Sequence, residues 1–290
     1  MKLAPECRSC LLTKVRSQAG YVLSDAEQIE ELVEKCAEIF DAGAAANAGA
    51  AVAAGEIHRF CYAQVKKQDL YADIKVRDNE RAKAVAAEVK PLLNTLHDTL
   101  IASVLGNAMD YGVTGHDVAE DFTRYFREVF ARGLAVDDSE KFLPLAKRVV
   151  FFTDNCGEVI FDMLFLEELK KTGAHVTVVV KDAPMLNDVT VKEAQEIGLA
   201  SVADAVYSGG GGALLGTHPA VFPPEVSAAV SDATLLIAKG LANYESMTEY
   251  VFDKPIAYLM MIKCDAVGRD LSQISGRNVK KGDLVAYLRE

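Results

Sequence analysis

The stretch RVVFFTDNCGEVIFDMLFLEE, residues Arg148 to Glu168, decides the fold. Val149, Val150, Phe151 and Phe152 form an unbroken apolar run that stops at Thr153-Asp154-Asn155-Cys156-Gly157-Glu158. After it, Val159, Ile160, Met163, Leu166 and Leu169 recur with helical spacing. A continuous apolar run suits a strand covered on both faces, and the later period suits an amphipathic helix. The junction therefore predicts strand, tight turn, helix. It sets a carboxylate and an amide at the C-terminal end of a buried strand, where open α/β sheets bind ligands. The competing local use of Asp154 or Asn155 is to cap the helix.

Working toward the C-terminus, further strand-like runs fall at His175 to Val180, Ala205 to Tyr207, Leu235 to Ala238 and Ile256 to Ile262, mostly separated by helical patterns. That alternation predicts a largely parallel sheet with helices on both faces. Toward the N-terminus the pattern is helical throughout. Ser24-Asp25-Ala26-Glu27 reads as a capping box opening a helix with Ile29, Leu32, Val33, Cys36 and Ile39 on one face. Ala44 to Ala54 is rich in small residues, Arg77 to Val104 is a helical stretch that Pro91 should interrupt, and His116 to Arg132 is one more helix. The expected organisation is a helical domain over residues 1–136 and an α/β domain over residues 137–290.

The bulk numbers narrow the classes. Of 290 residues, half are hydrophobic and a quarter charged, as in ordinary globular proteins. Lys plus Arg is 31 against 42 for Asp plus Glu, a formal charge of −11, and no basic stripe is present. Nucleic acid is therefore not an expected partner. No run of about 18 apolar residues suggests a membrane span, and the start lacks a signal-peptide core. These features predict a cytoplasmic protein, whose six cysteines are thiols rather than disulfides. Cys36 and Cys61 lie in helical patterns and read as core residues.

In a parallel sheet all the strand ends converge on one edge. The first strand brings Asp154-Asn155, and the second brings Lys181-Asp182 and then Asn187-Asp188-Val189-Thr190. The third runs into four glycines, Gly209 to Gly212; the fourth brings Lys239-Gly240, Asn243 and Glu245; the fifth brings Lys263-Cys264. Hard oxygen donors of this kind suit Mg²⁺ or Mn²⁺ better than Zn²⁺. A lysine on the same edge would offset charge on a departing phosphate. Walker A and GxGxxG sequences are absent, so no nucleotide cofactor is expected. The glycine run is either a plain loop or a phosphate nest. Asp188 has a second use as a cap for a helix near Thr190, and Glu158 as a complement to the helix dipole.

The stretches TDNCGEVIFD, MLNDVT, AKGLANYES and GNAMDYG, in this order, resemble the DUF89 family of metal-dependent damage-control phosphatases. Cys7-x-x-Cys10 and Lys263-Cys264 resemble the branch of that family with CxxC and KC signatures, and QDLYADIKVRDNE resembles its D-P-Y-x-x-x-K-x-x-x-N stretch, with Leu70 in place of proline. The resemblance implies a helical N-terminal domain on a three-layer α/β/α domain, and hydrolysis of small phosphate monoesters such as sugar phosphates or damaged phosphometabolites. It implies a divalent ion (Mg²⁺, Mn²⁺, Co²⁺ or Ni²⁺) on Asp154, Asn155 and Asp188, with Asp154 as ligand or nucleophile. It further implies that Lys239 holds the phosphate and that Asn107 and Asp110 close the site from the helical side. Asn243 and Glu158 are expected near the substrate.

Two other classes are open to the residues alone. One is a methyltransferase on a similar scaffold, since fold does not dictate chemistry. The other is a metal or redox binding module built on Cys7, Cys10 and Cys264, three thiols expected to be neighbours.

Overall fold

A computed structural model describes residues 1–108 and 118–290, with side chains described from residue 123 onward in the second segment. The chain opens with α1 (Cys7–Gly20), α2 (Ala26–Ala45), α3 (Ala50–Gln64), α4 (Ala72–Val89), α5 (Leu96–Gly106) and α6 (Val118–Arg132). It continues through β1 (Val136–Asp137), α7 (Ser139–Phe142), β2 (Arg148–Phe152), α8 (Glu158–Lys171), β3 (His175–Val180) and α9 (Val191–Glu196). Then come β4 (Ala205–Ser208), α10 (Pro224–Asp232), β5 (Leu235–Lys239), α11 (Gly240–Met247), β6 (Ile256–Met261), α12 (Asp265–Ser275) and β7 (Leu284–Arg289).

The strands make one sheet in the order β1-β7-β6-β5-β2-β3-β4. The five strands from β6 to β4 are parallel, and β7 pairs antiparallel with β6. Those five are the runs the sequence predicts. The edge pair β7 and β1 is not among them: β1 is two residues long, and Leu284 to Arg289, itself an apolar run, pairs antiparallel with β6, apart from the parallel set.

Alternation along the strands sorts the core. Val149, Phe151, Val176, Val178, Leu235 and Ile237 face a cluster formed with α4, α5, α6 and α8. Val150, Phe152, Val179, Leu236 and Ala238 face the other way, against α10, α11 and α12. Phe151 and Phe152 are both fully buried, on opposite faces, each worth about 1.5–3 kcal/mol of apolar burial. That is the three-layer α/β/α arrangement. Helices α1, α2 and α3 pack in a further cluster around Cys36, Ile57 and Cys61, as expected of those cysteines.

Local chemistry sets the helix ends. Asp25, rather than Ser24, caps α2, accepting from Glu27 N at 2.9 Å. Pro91 ends α4 in a short 3₁₀ turn, and Thr95 with Asp98 forms a capping box that restarts the chain as α5. At the other end of α5, Gly106 lets the helix come against α8: a Cβ there would stand 3.2 Å from Phe161 Cβ and 3.3 Å from the Glu158 carbonyl oxygen. This close approach delivers Asn107 to the end of β2.

Candidate active site

β2 and β5 are neighbours, and their onward connections lead to opposite sides of the sheet, β2 to β3 and β5 to β6. The crevice beyond their C-terminal ends is the usual ligand position in such sheets. Asp154 enters it from β2, and Lys239-Gly240 from β5. The loop after β2 then zips to the loop after β3. Val189 N donates to Asp154 O at 2.9 Å, Cys156 N donates to Asn187 O at 2.8 Å, and Asn155 bridges antiparallel to Asp188. Two strand-end loops thus bring Asp154, Asn155 and Asp188 together. None of the three caps a helix: α8 is capped by Gly157 without a side-chain bond, and α9 by Thr190.

Asp154 Oδ2 accepts from Asn155 Nδ2 at 2.7 Å and from Asn107 Nδ2 at 3.0 Å. Burial, reinforced by the charges of Glu158 and Asp188, holds the Asp154 carboxyl well above the usual carboxylate range, while Lys263 and Lys181 pull the other way. Burial also pushes Asp188 up to about 6, against the charges of Lys181 and Lys75. Lys181 Nζ stands 3.6 Å from Asp188 Oδ2, an ion-pair distance too long for a hydrogen bond, so this buried oxygen has no hydrogen-bond partner. Without a hydrogen bond and 3.6 Å from the Lys181 ammonium, this buried carboxylate oxygen can still accept a further cation. Two carboxylates and the Asn155 amide, whose nitrogen is already engaged, form an oxygen donor set that fits a hard divalent ion.

Lys239 and Asn243, expected at the phosphate or substrate, are placed differently. Lys239 is fully buried; its Nζ donates to Ser103 O at 2.6 Å and Ser103 Oγ at 2.8 Å, and lies 2.9 Å from Asp162 Oδ1 and 3.2 Å from Glu158 Oε1. Burial alone would lower its pKa, but Asp162 and Glu158 more than reverse this and raise it. With its protons committed to these partners, it underpins the site and does not present an ammonium to the crevice. Asn243 donates to Thr153 O at 3.0 Å and Lys239 O at 2.8 Å, and accepts from Thr217 Oγ1 at 2.9 Å. It braces the ends of β2 and β5 from below.

Glu158 links the two levels. Its Oε2 accepts from Asn107 Nδ2 at 2.7 Å and from Asn155 Nδ2 at 3.3 Å, while Oε1 faces Lys239. Asn107 is 2% exposed, and its Oδ1 accepts from Met261 N at 3.0 Å, so it spans the ends of β2 and β6. Asp110 lies outside the described residues. Gly240 has φ +75°, and a Cβ there would overlap Asp154 Oδ2. The glycine is what leaves room for the carboxylate.

The remaining expectations resolve as follows. In the glycine loop, Asp182 Oδ2 accepts from Gly212 N at 2.8 Å and Oδ1 from Ser208 Oγ at 2.7 Å, so one of the loop's amides already serves a carboxylate. Cys7 and Cys264 are half-buried, with thiols pushed up mainly by burial, and each feels the charge of Glu245. Cys264 also lies within electrostatic reach of Cys10 and Cys7, so the three thiols share one neighbourhood. Among the described residues, no three His, Cys, Asp or Glu side chains converge as a metal set. The oxygen site depends on an amide as its third donor.

Several participants were not singled out by the sequence. Ser103 is an interior helix position that nothing local distinguishes, whereas Asp162 closes the stretch TDNCGEVIFD and interrupts an apolar run four residues after Glu158, which is the available signal. Tyr62 OH accepts from Leu186 N at 2.9 Å, holding a residue with φ +50° in the loop before Asp188. Lys75 and Asn79, at i and i+4 on α4, belong to the stretch QDLYADIKVRDNE. Their helical spacing was the available signal.

Comparison with known proteins places these residues in context. The damage-control phosphatase ARMT1-like domain matches residues 3–279. A protein of Archaeoglobus fulgidus named damage-control phosphatase is 36% identical over the full length of both chains. One of Pyrococcus horikoshii, also named a damage-control phosphatase, is 26% identical over 98% of this chain and 97% of its own. The crystal structure of a DUF89 family protein from Pyrococcus horikoshii superposes with a TM-score of 0.89 at 26% identity, covering all of both chains.

Proposed function

The chain belongs to the damage-control phosphatase ARMT1-like domain family, and from that premise we propose that it hydrolyses small phosphate monoesters, sugar phosphates or damaged phosphometabolites, with a divalent metal ion held by Asp154, Asn155 and Asp188. The observation that carries this reading is the zipped pair of strand-end loops, with the buried Asp188 Oδ2 left without a hydrogen-bond partner. A divalent ion bound there would draw electron density from the phosphoryl oxygens.

The chain's own residues do the rest. Lys181 and Lys263 are the cations whose charge favours the ionised Asp154, and Lys181 Nζ itself donates to Gly216 O at 2.5 Å and stands 3.6 Å from Asp188 Oδ2. Asn107 and Asn155 orient the Asp154 carboxylate through paired amide hydrogen bonds. Glu158 fixes both amides, and Lys239 with Ser103 and Asp162 fixes Glu158. Preorganised donors of this kind need no rearrangement during reaction, which is where electrostatic catalysis gains most. Phosphate release from a generic aryl phosphate and a panel of sugar phosphates, compared between wild type and Asp154→Ala, tests the proposal. Release should vanish in a folded Asp154→Ala variant; release at the wild-type rate would remove Asp154 from the chemistry.

A further inference from the structure

Helix α4 belongs to the helical layer, yet two of its side chains reach both loops of the candidate metal site. Lys75 and Asn79 sit four residues apart, one above the other on a single face, and are 0% and 5% exposed. Asn79 Oδ1 accepts from Gly157 N at 2.6 Å. Gly157 stands two residues past Asn155, has φ +82°, and is the N-terminal cap of α8 with no side chain of its own to offer. The acceptor that anchors this turn therefore comes from another helix. Four residues earlier, Lys75 Nζ lies 3.1 Å from Asp69 Oδ2 and 3.7 Å from Glu193 Oε1. Glu193 Oε2 in turn accepts from Thr190 N at 3.0 Å, and Thr190 ends the Asp188-Val189-Thr190 segment.

One helix face thus grips the loop of Asp154 and Asn155 directly, through Asn79 on Gly157, and the loop of Asp188 indirectly, through Lys75 on Glu193, which in turn holds Thr190. Gly157 and Thr190 each lie two residues from a donor. We propose that α4, through Asn79 and Lys75, is the positioning element that sets the separation of the two loops and hence the affinity of the metal site. The inference rests on the reading that Asp154, Asn155 and Asp188 hold the ion. Groups that orient metal ligands act through geometry, and their loss typically weakens metal binding by about 10–100-fold.

Calorimetric titration of Mn²⁺ into chelator-treated protein tests this without reference to turnover. The proteins are wild type, Asn79→Ala, Asn79→Asp and Asp188→Ala, each held well below its unfolding temperature. Asn79→Ala should weaken Mn²⁺ binding by about 10–100-fold. Asn79→Asp keeps an acceptor oxygen and should recover most of that loss. Should Asn79→Ala not fold, Asn79→Ser, whose hydroxyl is too short to reach Gly157, carries the same expectation. A variant lacking the acceptor that melts earlier but binds Mn²⁺ as wild type does would overturn the inference, showing a purely structural contact. If Asp188→Ala alone loses Mn²⁺, the donor reading stands and the α4 inference falls. If wild type binds no Mn²⁺, or Asp188→Ala binds it unchanged, the donor reading itself falls and takes the inference with it.

Discussion

Asn107 Nδ2 lies 3.0 Å from Asp154 Oδ2, a hydrogen bond from the end of α5 to the carboxylate that follows β2. The same amide holds Glu158, and its oxygen holds Met261 N, so one side chain sets the spacing of two strand ends and the start of α8. Asn107→Ala should cut turnover by about 10–100-fold through misplacement of Asp154. It should cost only about 1–3 kcal/mol of stability, for the partners left unsatisfied. Steady-state kinetics beside urea unfolding checks both. Loss of stability with turnover intact would show that Asn107 is only packing.

Lys239 offers a contrast, because its partners Asp162 and Glu158 are as deeply buried as it is. Removing one member of a buried ion pair leaves uncompensated charge, which costs about 3–5 kcal/mol. Lys239→Met should therefore lower unfolding stability by that order before any kinetic effect is read. A variant as stable as wild type would mean that the buried network contributes nothing to the fold.

Gly240 and Gly212 share nearly the same backbone, φ +75° and +74°, but not the same surroundings. A Cβ at Gly240 would overlap Asp154 Oδ2, whereas one at Gly212 meets nothing within 4 Å. Both alanine variants should lose about 1–2 kcal/mol for the left-handed conformation. Only Gly240→Ala should also lose activity, by displacing Asp154. Equal activities in the two variants would contradict the placement of Asp154 against this glycine.

What the sequence made legible follows from where the information sits. Val149 to Phe152 and the runs of β3, β5 and β6 are buried on both faces, so their apolar continuity marks them without any partner being known, whereas β4, at the sheet edge, is half-buried throughout. Asp154, Asn155 and Asp188 stand where those runs break. The role of Lys239 was not legible, because Ser103, Glu158 and Asp162 come from α5 and α8, 136, 81 and 77 positions away along the chain, and a lysine at a strand end reads the same whether it faces a crevice or a buried carboxylate. Strand β7 shows an apolar run of its own, Leu284 to Leu288, but its antiparallel pairing with β6 is set by tertiary context. Asn79 and Lys75 were hidden for the same reason: their partners are a backbone amide in one distant loop and a glutamate beside another.

The helical layer carries a pH response of its own. His58 is buried with Nδ1 2.9 Å from Gln18 Oε1, and burial, with help from the Lys14 charge, pushes its pKa from 6.5 down to about 3. The unfolded chain then binds the proton more readily than the folded one. Stability from this residue is complete above about pH 6.5 and declines as pH falls from there toward 3. Between pH 7 and pH 5, wild type should lose about 2 kcal/mol more than His58→Gln. Urea unfolding of the two proteins across that range reads the difference directly; parallel pH profiles would rule out a buried neutral His58.

The oxygen site formed by Asp154, Asn155 and Asp188 should work only with a divalent ion. Phosphate release from an aryl phosphate by wild-type protein, first in excess chelator and then after addition of Mg²⁺ or Mn²⁺, measures this most directly. Release should stop in chelator and recover on adding either ion; full activity in excess chelator would remove the metal from the reaction.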